Sequence, residues 1–197
     1  MHEICGIIST VLVLAGSGHY LWQMVLRKVK PHFFSCFVWT IVTSIVAAGL
    51  IAEHAGPASW RTIILAVLLI AGTLLSLRNG FVYIRRIDIF VLLLALLAIP
   101  IWVVTKSPDA SILWVLFVEV AGALPAFRKA WKLPYEEGIF GVSLNAASNI
   151  FAFLALNQGA FAAQLYFVIW GGILGALALT AAYRRTVLPS NVEIISG

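Results

Sequence analysis

Charge is scarce in this sequence. Asp, Glu, Lys and Arg make up 11 % of its 197 residues, while 62 % are hydrophobic. A soluble domain carries about a quarter charged residues, and one of this size needs a polar shell that this chain cannot supply. The scarcity excludes a free globular domain and points to an integral membrane protein. Catalytic signatures are also missing: there is no HExxH pair, no GxSxG elbow, no Walker loop and no carboxylate-rich metal cluster. Neither an enzyme nor a bound cofactor or metal is expected. The last apolar run contains no Lys, which excludes a retinal Schiff base there. There are two cysteines, Cys5 and Cys36. They fall at opposite faces of the hydrophobic layer, about 30 Å apart, whereas a disulfide needs Cα atoms within about 7 Å.

Period-2 alternation is absent too, so the spanning form is the helix. Seven apolar segments are present, at about 5–26, 33–52, 60–78, 87–105, 110–127, 138–156 and 160–183, each near the roughly 20 residues needed to span. No Lys or Arg precedes the first run, as it would in a cleaved signal peptide. The first helix is therefore expected to be retained, with the N-terminus outside. The net charge of +5 lies in short clusters between apolar runs, the pattern of juxtamembrane anchoring rather than of nucleic-acid binding. Arg27, Lys28, Lys30, Arg78, Arg85, Arg86, Arg128, Lys129, Lys132, Arg184 and Arg185 fall on one side, eleven of thirteen cations; Arg61 and Lys106 fall on the other. The positive-inside rule then puts the C-terminus in the cytoplasm, in a cell inner membrane.

Aligning Pro31 with Pro134, an offset of 103, lays "GHYLWQMVLRKVKPHFFSCF" over "AGALPAFRKAWKLPYEEGIF". Identities are few, but the layout repeats: apolar helix, basic tract, Pro, new helix. Segments one to three (1–80) and five to seven (108–185) become two similar three-helix bundles. The fourth segment (81–107) is a linker helix, and 186–197 is a short cytoplasmic tail. An odd number of helices between the repeats gives both the same orientation, a recurrent transporter plan. The expected fold is thus an all-α integral membrane protein of seven transmembrane helices in a 3+1+3 parallel-repeat arrangement. Pro125 sits about one turn inside the end of the fifth segment, where it should kink the helix and serve as a gate or hinge. Pro134 precedes the sixth helix, and Glu136 and Glu137 should fall in its first turn, near the positive end of the helix dipole.

These residues resemble the PQ-loop superfamily, which includes SWEET and semi-SWEET sugar transporters, lysosomal amino-acid exporters and nicotinamide riboside carriers. Its signature is a Pro-Gln pair near the end of the first helix of each bundle, then a basic stretch, a Gly and the next helix. The second copy here reads Pro125-Ala126, Arg128, Lys129, Trp131, Lys132, Gly138; the first reads Trp22-Gln23, Arg27, Lys28, Lys30, Pro31. Each half keeps one member of the pair. The resemblance implies two three-helix bundles joined by a linker helix, and a carrier for a small polar solute: sugar, vitamin or amino-acid-like. It would work by alternating access. The partners implied are that solute and the lipid bilayer, with a homo-oligomer also compatible. The alternative is a non-transporting membrane sensor or scaffold that binds a partner protein.

Few polar residues fall deep in the segments. Glu119 lies nine residues before Arg128, and an ionisable group at that depth is by default functional. His19 lies eight residues before Arg27, at a similar depth. The alignment sets 16, 19 and 23 on one helix face and 119, 122 and 126 on the equivalent face. His19 and Glu119 would then face one cavity as a proton-coupling pair. Asn145, Ser148 and Asn149 share a helix face and offer donors and acceptors to a neutral solute; interhelical hydrogen bonding is the competing use. Trp39 offers a stacking platform and Gln23 a polar lining group, completing the candidate substrate-binding set. Gly171, Gly172, Gly175 and Ala176 would let helices approach closely.

A reporter fused after Gly197 should be active in the cytoplasm, and one fused after Gly56 or Gln158 outside. A cytoplasmic signal at Gln158 would mean that the polar sixth segment does not span.

Overall fold

In a bilayer each backbone N–H and C=O must find its partner within the chain, and an apolar run does so by coiling. The computed structural model follows that constraint, with helix almost throughout and no strand among the described residues. Those residues are 1–27, 33–79, 86–132, 134–136, 138–157 and 160–188. The helices are α1 (His2–Val25), α2 (Phe33–Ala52), α3 (Ala58–Asn79), α4 (Arg86–Leu96), α5 (Ala98–Thr105), α6 (Pro108–Lys132), α7 (Ile139–Leu154) and α8 (Phe161–Val187). Of these, α1, α2, α3, α6 and α8 are long and apolar enough to cross a membrane; the stretches Ile89–Thr105 and Ile139–Leu154 are apolar but shorter. Val11, Leu74, Phe117 and Leu179 are among the large apolar side chains facing outward, a surface suited to lipid and not to water.

The fourth apolar segment, expected as one helix, is interrupted at Leu97, between α4 and α5. Pro100 accounts for the position. Proline lacks an N–H, and its ring crowds the carbonyl four residues back. Here that carbonyl belongs to Leu96, the last residue of α4. The fifth segment also differs from expectation. α6 continues past Pro125 to Lys132, so Arg128 and Lys132 lie on the helix's last turns rather than in a loop. Pro134 opens a single 3-10 turn, Pro134–Glu136, and α7 begins only at Ile139. Glu136 is therefore not in the first turn of α7. Glu137, Arg85, the tract 28–31 and the tail from 189 lie outside the described residues.

The helices pack in a definite order. α3 lies against both α1 and α2, and α8 against both α6 and α7. The two sets meet crosswise, α1 on α7 and α2 on α6, while α4 rests on α2 and α6. Between α2 and α6 the core is aliphatic, with Val42, Val46 and Leu50 near Ile112, Val115 and Leu116. Toward α8 it turns aromatic, with Tyr166, Phe167 and Trp170.

Two short connections meet at the end of the bundle where α1 begins. α2 ends in a Schellman turn: the Ala55 N–H donates to the Leu50 carbonyl at 3.0 Å and the His54 N–H to Ile51 at 3.1 Å. His54 takes the left-handed conformation at φ 51°, a position that glycine usually fills. Its carbonyl then accepts Asn157 Nδ2 at 2.8 Å, across 103 residues of sequence. The Asn157 N–H donates to the Ala55 carbonyl at 3.3 Å. Nearby, Asp109 Oδ1 accepts the Ala162 N–H at 3.2 Å, satisfying one of the free amides at the start of α8.

At the opposite end, α8 is fastened to the turn between α6 and α7. Arg184 Nε donates to the Trp131 carbonyl at 2.9 Å, and the guanidinium lies 4.4 Å from that indole. Arg185 Nε donates to the Pro134 carbonyl at 3.0 Å, and the Tyr135 hydroxyl donates to the Leu188 carbonyl at 2.9 Å. These cations therefore grip both backbone and rings.

The α1–α7 seam is made close by glycine. A Cβ on Gly16 would stand 3.0 Å from the Gly141 carbonyl oxygen and 3.0 Å from Asn145 Nδ2. Among the small residues expected to pack on the last helix, Gly171 does so, against Asn149 Cβ, but Gly172 and Gly175 have nothing within 4 Å. Gly16→Val should lower the melting temperature in detergent, by a destabilisation of about 1–3 kcal/mol. Gly18→Val, where no neighbour lies within 4 Å, should cost much less. Equal losses would show that the seam is not tight.

Candidate functional site

A polar cluster joins α1, α3, α6, α7 and α8. Its anchor is Arg61, the fourth residue of α3. α3 packs on α1 and touches α7, so a side chain leaving its first turn toward the bundle is enclosed. Arg61 is 1 % exposed. A guanidinium does not give up its proton in a protein, so a charge is held here among helices and must be answered by neighbours.

One answer comes from α7. Arg61 Nε donates to Ser148 Oγ at 2.7 Å. Ser148 Oγ also donates to the Ser9 carbonyl at 2.9 Å, and Ser9 Oγ donates to the Ser148 carbonyl at 2.7 Å. The reciprocal pair ties α1 to α7 and presents one oxygen to the arginine. A second answer comes from α8, where the Phe167 ring lies 5.8 Å from Arg61 Cζ and offers its electron-rich face.

The third answer is Glu119 on α6, which is 4 % exposed. The Tyr166 hydroxyl donates to its carboxylate. Arg61 and Glu119 are close enough to attract one another, yet they make no direct hydrogen bond. Both terminal guanidinium nitrogens of Arg61 lack a partner, and so does Glu119 Oε2. Asn149, fully buried, donates Nδ2 to the Asn145 carbonyl at 2.7 Å and leaves its own Oδ1 without a partner. Thr62 Oγ1, next to Arg61 in sequence, is also unpartnered. Buried polar groups are nearly always satisfied, and leaving one unmade costs about 1–3 kcal/mol, more for a charged group. Arg61, Thr62, Glu119 and Asn149 are thus four buried side chains whose polar atoms are incompletely bonded within the chain.

The residues expected from sequence separate into two groups. Glu119, Ser148 and Asn149 belong to the cluster. Asn145 adjoins it but is engaged elsewhere, donating Nδ2 to Ser17 Oγ at 3.2 Å and to the Gly141 carbonyl at 2.9 Å. His19 and Gln23 lie away from it. His19 is exposed, 3.3 Å from Gln23 through side-chain nitrogens, with its ring edge-on to Phe140 at 5.9 Å. The groups that act on Glu119 are Arg61, through charge, and Tyr166, through a hydrogen bond, and His19 is not among them. Trp39 is partly exposed and tilted against Trp170 at 5.6 Å. The side chain of Pro125 lies outside what is described.

Sequence reasoning missed Arg61, Ser9, Tyr166 and Phe167. Arg61 was counted with Lys106 as a cation of the outer side, at the second residue of the expected span 60–78, and given no further role. The signal that bears on it is the helix start: α3 opens at Ala58, right after Pro57, two residues before the expected start at 60, which makes Arg61 the fourth residue of the helix. Ser9 and the two aromatics carry no comparable mark in an apolar run.

Comparison with protein-family models, with curated proteins and with solved structures returns no match for this chain.

The Ser9–Ser148 pair lends itself to a double-mutant cycle. Ser9→Ala and Ser148→Ala should each lower stability by about 1 kcal/mol. The double variant should fall short of the sum by about 0.5 kcal/mol or more. Strict additivity in thermal unfolding would mean that the two hydroxyls act independently.

Proposed function

We propose that this chain is a carrier for a small polar solute, working by alternating access between two three-helix bundles about the Arg61–Glu119–Asn149 cluster. The observation that carries the proposal is the origin of the cluster. Arg61 and Ser9 come from α1–α3, while Glu119, Ser148, Asn149 and Tyr166 come from α6–α8. A site assembled from both bundles is remade or broken whenever one moves against the other, which is what alternating access requires.

The helix order supports the same reading. Within each bundle the third helix lies against the other two, and across bundles the first helix of each meets the second of the other. Two units related by a two-fold axis would pack in this order. The contact between His54 and Asn157 spans 103 residues, the same offset that aligns Pro31 with Pro134. Residues related by a two-fold axis meet each other where the axis passes, so this contact is what a repeat with that offset would produce.

On this reading the broken α4–α5 stretch and the shorter α7 complete a seven-helix, 3+1+3 layout of the PQ-loop kind. The N-terminus lies outside and the basic ends face the cytoplasm. The cluster then sits in the outer half: Arg61 is three residues from the start of α3 and Tyr166 five from the start of α8. Glu119 is roughly 16 Å along α6, near the midplane. Pro125 lies about one turn from the basic end of the expected span, suited to an inner gate. The solute route runs past Glu119, Ser148 and Asn149, with Arg61 added to the set named from sequence.

A solute-independent experiment tests the proposal. In a Cys5→Ala/Cys36→Ala background, Asn149→Cys should react with a membrane-impermeant thiol reagent from either side of an oriented vesicle. Reaction from neither side would favour the packed interior of a scaffold or sensor.

A further inference from the structure

The end of the bundle where α6 and α8 finish carries more positive charge than its fastening uses. The two helices lie side by side. In the sequence, Arg128, Lys129, Lys132, Arg184 and Arg185 stand there against Glu136 and Glu137, five cations against two acids. Arg184 is anchored twice: its Nε donates to the Trp131 carbonyl at 2.9 Å, and its guanidinium lies 4.4 Å from the centre of that indole. These anchors use one of its five N–H donors. Its terminal nitrogens have no hydrogen-bond partner among the described residues. Arg128 and Lys132 are exposed, and neither has an acid partner among the described residues. A cation in a last helical turn answers the dipole, and the Nε bond satisfies an orphan carbonyl. Neither role uses the terminal fork, whose plane the two anchors fix. Next to this end both helices turn apolar side chains outward. Leu124 lies one turn before Arg128 on the same face of α6, and Leu179 one turn before Tyr183 on α8; Leu124, Leu179 and the Tyr183 ring are all exposed.

We propose that this end of α6 and α8 binds an anionic phospholipid, its phosphate on the Arg184 fork and an acyl chain along Leu124 and Leu179, with Arg128 and Lys132 supplying further charge. A guanidinium fork matches two phosphate oxygens at once. Because the side chain is already anchored, little freedom is lost when the lipid arrives. The surplus of positive charge selects the headgroup. A zwitterionic headgroup brings a cation of its own to a region that has too many, whereas an anionic one brings only what is missing. A soluble phosphate meets the same fork but leaves the apolar strip uncovered. The exposed rings of Trp131 and Tyr183 suit the depth of a headgroup. The inference needs the membrane setting alone and not the carrier cycle.

The full chain in nonionic detergent is titrated with dioleoylphosphatidylglycerol and with dioleoylphosphatidylcholine, which share their acyl chains and differ in headgroup. Bound lipid is read by native mass spectrometry. The first should bind saturably, at least about fivefold more tightly than the second, and raise the melting temperature. Glycerol 3-phosphate, which has a phosphate and no acyl chain, should not compete at equal concentration. Arg184→Lys keeps the charge and loses the fork; the double variant Arg128→Gln/Lys132→Gln removes two exposed charges. Each should weaken phosphatidylglycerol binding by about fivefold or more, the upper end of what an exposed charge pair contributes. Arg78→Gln removes an exposed cation from the last turn of α3, at the same end of the bundle, and should leave binding unchanged. The comparison of lipids on the wild-type chain and the double variant do not depend on the Arg184 variant folding. Equal binding of the two lipids, competition by glycerol 3-phosphate, or an equal loss in Arg78→Gln, the mark of diffuse attraction to a charged surface, overturns the inference.

Discussion

A guanidinium held inside a helical bundle is the constraint around which this structure is arranged. Arg61 cannot lose its charge, and its burial shields it from bulk solvent. Each neighbouring helix contributes something toward it: a serine pair from α1 and α7, an aromatic face from α8 and a carboxylate from α6. These contributions are incomplete. Here the neighbours hold its Nε and its plane in position while the fork remains free. Buried charge in a membrane protein is costly and by default suggests function, which is the ground of the carrier proposal.

The rest of the fold makes such a site possible. α3 carries Arg61 and is packed on both sides by its own bundle, so the arginine's backbone is held firmly. α7 carries Ser148 and Asn149 and lies on α1, α8 and, less extensively, α3. The cluster is thus held by the most enclosed elements, while α4 and α5 remain on the periphery. The polar ends are treated differently from the middle. At one end the loops bond backbone to side chain through His54 and Asn157; at the other, arginines and aromatic rings clasp the turn between α6 and α7. In both cases the groups freed by a helix ending find partners nearby, as a low-dielectric setting demands.

Much of the architecture was legible in the sequence. Apolar length alone located the helices to within a few residues, because a membrane fixes how long a spanning run must be. The break at Leu97 was legible too, since Pro100 states it through the carbonyl four residues back, but it was passed over inside an uninterrupted apolar run. Glu119, Ser148 and Asn149 stood out because polar groups are rare there. Pairing them was harder. A depth argument joined Glu119 to His19, but depth says nothing of rotation about the helix axis. His19 is exposed beside Gln23 and Phe140, while Glu119 turns inward to Tyr166. Arg61 was lost for the opposite reason: a cation near a helix end reads as a loop anchor, and only the packing around α3 distinguishes one that snorkels outward from one that reaches in.

The crossing of α1 and α7 at Gly16 and Gly141 has a mechanical meaning. Two backbones meet there with almost no side chain between them. If the bundles move as the carrier proposal requires, such a joint is suited to act as a fulcrum: glycine surfaces permit pivoting, whereas separating them would strip a close backbone contact. With that point fixed, a small rotation of one bundle would produce opposite displacements above and below it. The polar cluster lies on one arm of the lever and the basic ends on the other. The position of two glycines along their helices would then set the ratio of the two movements.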